Sequence, residues 1–314
     1  MPSLTRRPSH THRRIVPVLG LLAALLLPTG TWAQEVELHW SFHPGQELVY
    51  EVTQVSDTET PNGVVTQTNT QIQRQHVLDV DADGTARIQV TTERMSMVMD
   101  SPMGRQEFDS DDPDAGNPEL AVLGGMVGMT FEMVLTSDGR VLEVSGLDQM
   151  VDLMVEDMAQ ENPAAAGQMR EMLEGIFGEE AMESTMQQGV QPLPREPVSP
   201  GEGWDFSHVQ PLGFGSVRTE ARYTLREVDG ELAHIDVEGS IGDFQAEEGN
   251  PMGGMVNISG GSLSGELRFD LERGLLVESE VVTTIQMDAM GQGITTRTTQ
   301  GMELVEVIQG EVGH

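Results

Sequence analysis

The sequence predicts an α+β fold in which curved antiparallel β-sheet, from two repeat-like halves, packs around a central amphipathic helical segment. Apolar residues alternate between turn signals over residues 34–144 and again over 190–314, which is typical of β-strands. Residues 145–189 instead repeat their apolar side chains with the period of a helix. Similar landmarks follow in the same order in both halves. We therefore expect residues 34–314 to form one compact unit.

Residues 1–33 have the pattern of a Sec-type signal peptide. Two Arg-Arg pairs, at positions 6–7 and 13–14, precede an apolar run from Ile15 to Leu27, and Thr31-Trp32-Ala33 fits a small-x-small cleavage site. The run is too short to remain as a membrane anchor. The sequence thus predicts cleavage after Ala33, no transmembrane anchor afterwards, and a periplasmic or extracellular protein of a bacterial cell envelope.

The composition is strongly acidic and lacks cysteine. With 51 Asp and Glu against 17 basic residues the net charge is −34, and loss of the four arginines in residues 1–33 would make it −38 (13 − 51). Such a surface repels nucleic acids and anionic lipid headgroups, so we expect neither as a partner. The absence of cysteine excludes disulfides, thiolate metal sites and lipidation of an N-terminal cysteine.

The first half predicts a series of β-hairpins. Apolar residues alternate over 38–42 and 48–52 on either side of the Pro44-Gly45 turn. Asp83-Gly84 and Asp138-Gly139 each sit between two apolar runs and predict further hairpins. The stretch 64–74 is rich in Thr and Gln, and we expect it to be an exposed or edge strand.

The central segment predicts two amphipathic helices and a weaker third turn ending at Gly189. Ser145 resembles an N-cap, and Asn162-Pro163 restarts the pattern. The apolar stripes consist of Leu147, Met150, Val151, Met154 and Met158, then Ala165, Met169, Met172, Leu173, Ile176 and Phe177. Ordinary core packing explains a stripe at this spacing. Because methionine adapts to varied apolar partners, a lid over a ligand cavity is the alternative interpretation.

The second half repeats the landmarks of the first. Pro200-Gly201-Glu202 corresponds to Pro44-Gly45-Gln46, and Asp229-Gly230 corresponds to Asp83-Gly84. Two further pairs follow in the same order. The sequence predicts a tandem duplication with the helices inserted between the copies, and a proline-rich linker over residues 193–200.

The candidate metal ligands can each be explained by local structure without a metal ion. Asp79, Asp81 and Asp83 have the spacing that opens an EF-hand calcium loop, but the twelfth position is Val90 and the flanking segments have β patterns. An ordinary Asp-Gly turn explains the motif without calcium. The methionines at 95, 97 and 99 have the softness that Cu(I) prefers, yet alternation on a core-facing strand gives the same spacing. We predict no cofactor.

No motif indicates catalysis. The stretch Gly261–Gly265 resembles a nucleophile elbow, but its central residue is Leu263 where a serine is required. No phosphate-binding loop or dinucleotide fingerprint is present. We therefore expect a protein that is not an enzyme.

Turn motifs give the chain a resemblance to a known group. Pro44-Gly45-Gln46 with Tyr50, residues 197–204 and residues 269–274 resemble a family of exported bacterial proteins of unknown function, with a signal peptide, β-rich halves and a central helical segment. The resemblance brings no catalytic residues. At the level of fold alone, the chain is also similar to the periplasmic lipoprotein-carrier proteins, in which a sheet and a helical lid enclose an apolar cavity.

Three functional hypotheses follow, in this order. The first is a non-catalytic binder or carrier of an apolar small molecule, lipid or acyl chain, through Met95, Met97, Met150, Met154, Met169, Met172 and Phe177. The second is a structural or interaction protein of the envelope that docks a protein partner, of no predicted identity, through the Val64–Gln73 strand. The third is a hydrolase whose site the sequence does not identify.

Overall fold

Long antiparallel β-strands, several of them two to three times the usual length, make up the computed structural model of the protein. The structure describes residues 35–61, 63–112, 127–147, 192–212, 215–246 and 256–310. It also describes residues 120 and 123–125 and scattered residues between 151 and 190. Of the described residues, 69% are in strands and 6% in helix.

The strands are β1 (Glu47–Thr60), β2 (Gly63–Val80), β3 (Ala86–Ser101), β4 (Gly104–Asp109), β5 (Thr130–Leu135), β6 (Val141–Ser145), β7 (Gly203–Pro211), β8 (Gly215–Asp229), β9 (Leu232–Ala246), β10 (Val256–Asp270), β11 (Leu275–Ala289) and β12 (Gln292–Ile308). They form one sheet in the order β6-β5-β3-β2-β1-β12-β11-β10-β9-β8-β7, with β4 paired to β3 beyond the end of β5. Each half is a meander, and β1 pairs with β12 to join the halves.

The α+β prediction is wrong, because the described residues form an all-β sheet. Among the described residues, α-helix occurs only at positions 151, 155, 167, 170, 182–184 and 186–187, and 3₁₀-helix at positions 120 and 123–125. Within the described residues the sheet does not pack around a central helical segment. The helical period in residues 145–189 led to the prediction of a central helical core. The extent of the sheet was underestimated, because strands that are polar on both faces lack the alternation of apolar and polar residues by which a strand is recognised.

An extended segment, residues 35–46, packs against the core of the sheet. Trp40 stacks on Phe42 with ring centroids 5.8 Å apart and meets Phe269 edge-on at 5.5 Å. Its backbone is held at both halves of the sheet. The Trp40 N–H donates to the Ser137 carbonyl at 2.9 Å, and the Ser41 N–H donates to the Gly274 carbonyl at 3.0 Å. The alternation of apolar and polar residues over 38–42 therefore reflects the burial of every second side chain, although this segment does not pair with another strand.

The prediction of an exposed or edge strand over residues 64–74 is also wrong. These residues belong to β2, which pairs along its length with β1 on one side and β3 on the other. Their side chains are mostly half-buried. Polar residues on both faces reflect a sheet that extends beyond its core, not a strand without neighbours.

The hairpins predicted at the Asp-Gly turns are confirmed, whereas residues 38–42 form no strand and make no hairpin with β1. The Asp83-Gly84 turn joins β2 to β3, and Asp229-Gly230 joins β8 to β9. Gly84 and Gly230 have φ angles of 80° and 63°, in the left-handed region that glycine adopts without steric cost. The turns near Gly139 and Gly274 complete the set.

The core lies at the end of the sheet where these turns meet. Leu48, Ile88, Leu225 and Phe269 there are at most 1% exposed. Burial of a side chain of this size contributes about 1.5–3 kcal/mol to folding. This cluster, with residues 35–46 packed over it, closes one end of the sheet.

Candidate functional site

The two faces of the sheet differ in chemistry. Residues directly opposite each other in an antiparallel ladder point to the same side, so the register follows one face across the sheet. We call the face that carries Leu48, Ile88 and Leu267 the inner face, and the other the outer face. Near the turns the core covers the inner face, and we call this part of the inner face the closed end. Strand β1 continues for eight residues beyond Val52, or about 26 Å, away from that core.

Three further rows of directly opposed inner-face residues cross the sheet, and we call them the open end. Over β7–β9 these rows are continuous with the core, because Ala221, Tyr223 and Val237 belong to it. The first row is Phe108, Met97, Asn69, Gln54, Gln300, Val281, Gly265, Val237, Tyr223 and Trp204; the second is Gln106, Met99, Gln67, Ser56, Thr298, Thr283, Leu263, Gly239, Ala221 and Phe206; the third is Val65, Thr58, Thr296, Ile285, Gly261, Ile241, Thr219 and His208. None of these residues is Asp, Glu or Arg.

The outer face has the opposite character. On β2 and its neighbours, Arg74 donates to Glu93 at 2.6 Å and to Glu47 at 2.7 Å. Hydrogen bonding to Glu93, with a smaller contribution from Glu47, raises the pKa of the Arg74 guanidinium. Similar cross-strand pairs join Arg222 to Asp205 and Arg226 to Asp236 and Glu266. The charges of these strands are therefore segregated to one face.

The open end has an apolar part over β8–β11. Ile241 of the third row forms a buried cluster with Val217 and Ile258, which lie just beyond that row, and Leu263, Ile285 and Met287 pack against this cluster. Glycines shape this region, because a Cβ at Gly239 would overlap the Glu220 carbonyl oxygen and one at Gly265 would overlap that of Glu280. Glycine inside a strand marks such a close backbone approach or bend.

The methionines of β3 lie on the inner face. Met97 stands opposite Asn69 and Phe108 in the first row, and Met95 lies one row nearer the closed end and is 6% exposed. The Gln67 amide donates to the Met97 sulfur at 3.6 Å. Two predicted ligand residues, Met95 and Met97, thus share one face. The others, Met150, Met154, Met169, Met172 and Phe177, lie outside the described residues.

His208 is the histidine of the three rows, and the sequence reasoning missed it. Its ring stacks on Phe206 at 6.2 Å, and its Nε2 lies 2.8 Å from the Ser184 hydroxyl oxygen. Burial lowers the pKa of His208, and the hydrogen bond to Ser184 offsets part of that effect. The alternation Trp204-Phe206-His208 was the available signal, since it places the histidine on the same face as two aromatic rings.

The aspartates of the Asp83-Gly84 turn make local contacts. Oδ1 of Asp81 accepts hydrogen bonds from the backbone N–H groups of Asp83 and Thr85, both at 2.9 Å. Asp79 lies 3.9 Å from Arg87 on the outer face. In the described ranges, no three His, Asp or Glu side chains are grouped so as to hold a metal ion. Calcium at Asp79, Asp81 and Asp83 stays a prediction.

Two concave regions of about 600 Å³ lie elsewhere. One lies beside residues 192–197, where Asp138 accepts hydrogen bonds from Arg140 and Arg195, each at 3.1 Å. Burial acts to raise the pKa of Asp138, but hydrogen bonds from Thr136 and the two arginines outweigh it, so the pKa is lowered. The other region lies among charged outer-face residues of β9–β11. Neither includes Met95 or Met97.

A search of the described residues for membrane spans finds no helix of sufficient length and apolar character.

Comparisons with known proteins place the chain in a family without assigning it a role. No curated protein matches it. Among solved structures, a lipovitellin studied for lipid–protein interactions matches 87% of this chain at 9% identity and a TM-score of 0.49; the match spans 26% of the lipovitellin chain. An outer membrane channel from Pseudomonas putida F1 matches 86% of this chain and 97% of its own at 10% identity and a TM-score of 0.28.

DynF from the dynemicin biosynthesis pathway of Micromonospora chersina matches 87% of this chain and 86% of its own, at 9% identity and a TM-score of 0.21. With TM-scores below 0.5, none of these likenesses supports a statement about function. The model of a family of unknown function, DUF6263, matches residues 83–276, more than half of the chain. The resemblance to a family of unknown function is thereby confirmed, and the chain belongs to DUF6263.

Proposed function

We propose that this protein is a non-catalytic binder or carrier of an apolar ligand, a lipid or an acyl chain, and that the open end of the inner face is its binding surface. The observation that carries the proposal is the absence of Asp, Glu and Arg from three rows of opposed residues across the sheet. The chain as a whole contains 51 acidic residues, so such a face is not a consequence of composition.

A face without charges matters for energetic reasons. An ionised side chain brought against an acyl chain loses its hydration, which is costly unless the charge is paired. Each methylene that leaves water contributes about 0.8 kcal/mol. A sheet that confines its charges to the outer face can cover an acyl chain without that desolvation cost.

The side chains that would contact the ligand come from both halves. Leu263, Ile285 and Val281 would pack along the chain from β10 and β11, and Met97 would contact it from β3. Methionine suits this role because its flexible thioether fits varied shapes. Met150, Met154, Met169, Met172 and Phe177 stay predictions, as their positions are not described.

The other hypotheses have less support. Docking through the Val64–Gln73 strand needs unpaired backbone groups, but both edges of β2 are hydrogen-bonded to neighbouring strands. A hydrolase could use the Ser184–His208 pair, yet no carboxylate of the described residues is hydrogen-bonded to His208 to orient it. As part of the same proposal, the signal peptide over residues 1–33 delivers the binder to the periplasm or the exterior, and no cofactor takes part.

The test uses a neutral apolar fluorophore, N-phenyl-1-naphthylamine, whose emission rises in apolar surroundings. We expect saturable binding to the purified protein and a loss of at least tenfold in affinity for Leu263→Asp, because the new carboxylate lies in the middle of the second row. A thermal melt of the variant verifies that it is folded.

The matched control is Ser264→Asp, one residue along on the exposed outer face. It adds the same charge to the same strand and should leave the affinity unchanged. The proposal is wrong if the protein does not bind the fluorophore, or if both folded variants lose affinity equally.

A further inference from the structure

The inner face of β2 carries an uninterrupted run of carboxamides. Gln67, Asn69, Gln71, Gln73 and Gln75 occupy five successive inner positions, spaced about 6.6 Å apart. We call these five residues the amide ladder. The intervening residues, such as Thr68 and Thr70, face outward with Arg74. A core-facing strand has no need of such a run, because each buried amide must find hydrogen-bond partners.

The amides are ordered by bonds to one another. Gln67 donates to Asn69 at 3.3 Å and Gln73 donates to Gln71 at 3.0 Å. A carboxamide has two N–H donors and a carbonyl oxygen with two lone pairs. These contacts use only part of that capacity, so the ladder can present further donors and acceptors in fixed positions.

Polar uncharged side chains continue beside the ladder on β1 and β12. Gln54 and Gln300 stand opposite each other and are both exposed, and the hydroxyls of Ser56 and Thr298 lie 3.0 Å apart. The amide ladder thus borders a neutral hydrogen-bonding surface that water reaches.

The apolar part of the open end lies on the same rows, four strands away. Leu263 of β10 and Gln67 of β2 share the second row, separated by four interstrand spacings of about 4.8 Å, or roughly 19 Å in total. A single amphiphile lying across the rows would place its chain on one part and its headgroup on the other.

We infer that the ligand is an amphiphile with an uncharged, hydroxyl-bearing headgroup, such as a glycolipid or an acylglycerol, whose headgroup is hydrogen-bonded by the amide ladder. This inference rests on the proposed function. The three rows contain no arginine to neutralise a phosphate and no carboxylate to pair with an ammonium, so a charged headgroup would lose hydration without compensation. Hydroxyls can both donate to and accept from carboxamides.

The experiment compares three dodecyl amphiphiles below their micelle concentrations by calorimetry: dodecyl maltoside, dodecyl phosphate and dodecyl trimethylammonium. We expect the maltoside to bind at least tenfold more tightly than either charged compound. In the variant Gln67→Leu, which removes the ladder amide that shares the second row with Leu263, the maltoside affinity should fall about fivefold, since one hydrogen bond contributes about 1 kcal/mol.

Two controls separate this inference from the proposed function. The double variant Thr68→Val, Thr70→Val on the outer face of β2 should bind the maltoside like the native protein. The glutamine variant should still bind N-phenyl-1-naphthylamine, which shows that it is folded. The inference is overturned if the three amphiphiles bind equally, if a charged one binds best, or if the glutamine variant keeps its maltoside affinity. Failure of every apolar probe would instead overturn the proposed function, and this inference with it.

Discussion

The closed and open ends of the inner face are built from the same strands and differ most in the burial of their side chains on β1 and β2. At the closed end Leu48 and Phe269 are 0% and 1% exposed and are covered by residues 35–46. Along the same β1 strand Gln54 is exposed. One continuous strand can therefore contribute to a core at one end and to a candidate binding surface at the other. Substitutions on this exposed part of the sheet should therefore test the proposed binding without removing side chains of the core.

The same backbone hydrogen bonds also occur at the closed end of both halves. The Gly45 N–H donates to the Val77 carbonyl at 2.7 Å and the Val77 N–H donates to the Gln46 carbonyl at 2.9 Å. In the second half Gly201, Leu225 and Glu202 repeat both bonds at 2.7 and 2.9 Å. The open end shows no such repetition, since amides dominate β2 while apolar residues and glycine dominate β10. We infer that the repeated turns maintain the fold and that the halves diverged where the ligand is proposed to bind.

The largest effect is expected at the closed end. Phe269→Ala removes a fully buried ring that Trp40 contacts edge-on, and we expect the free energy of unfolding to fall by about 3–5 kcal/mol. Urea denaturation measures the change. A loss below about 1 kcal/mol, the average for any substitution, would show that the closed end does not hold the sheet together.

A smaller effect is expected at Gly265, where the backbones of neighbouring strands approach closely. Gly265→Ala places a Cβ against the Glu280 carbonyl oxygen and the Val281 Cα, and overpacking of this kind costs about 1–3 kcal/mol. Gly293→Ala on β12 is the matched control, because a Cβ added there would meet no atom within 4 Å. Equal melting temperatures for the two variants would argue against a close backbone approach at Gly265.

The smallest effect concerns pH. Burial lowers the pKa of His208 in the folded protein below its usual 6.5, so the unfolded chain takes up a proton first. Stability should be unaffected well above pH 6.5 and should decline as the pH falls below that value, until the folded protein is also protonated. The decline attributable to this group cannot exceed about 1.4 kcal/mol per pH unit.

Comparison of the native protein with His208→Gln, by urea denaturation from about pH 7.5 to about pH 5, isolates this contribution. The native protein should lose more stability than the variant over that range. Parallel curves would contradict the prediction, because they would mean that the pKa of His208 is the same in the folded protein and in the unfolded chain.

The sequence identified local features better than long-range ones. Asp83-Gly84 and Asp229-Gly230 need a left-handed backbone at one residue, so the hairpins could be recognised from their own residues. The interior position of β2 was missed although its partners β1 and β3 are its neighbours along the chain, because the Thr and Gln of residues 64–74 do not alternate with apolar residues. The pairing of β1 with β12 could not be foreseen, because these strands are more than two hundred residues apart.

The candidate site was predictable to a similar degree. Alternation placed Met95 and Met97 on one face of a strand, which the structure bears out. The charge-free rows could not be foreseen, because the face that each residue occupies shifts at bulges such as the one between Ile72 and Gln73. His208 was missed because its partner Ser184 is distant in sequence and belongs to the segment between the halves.

The most direct measurement is native mass spectrometry of the protein purified from its native host, followed by organic extraction of what it carries. We predict a bound amphiphile without net charge at close to one molecule per chain, lost in the Leu263→Asp variant and retained in Ser264→Asp. A protein that carries no lipid and does not acquire one from added neutral amphiphiles would contradict the proposed function.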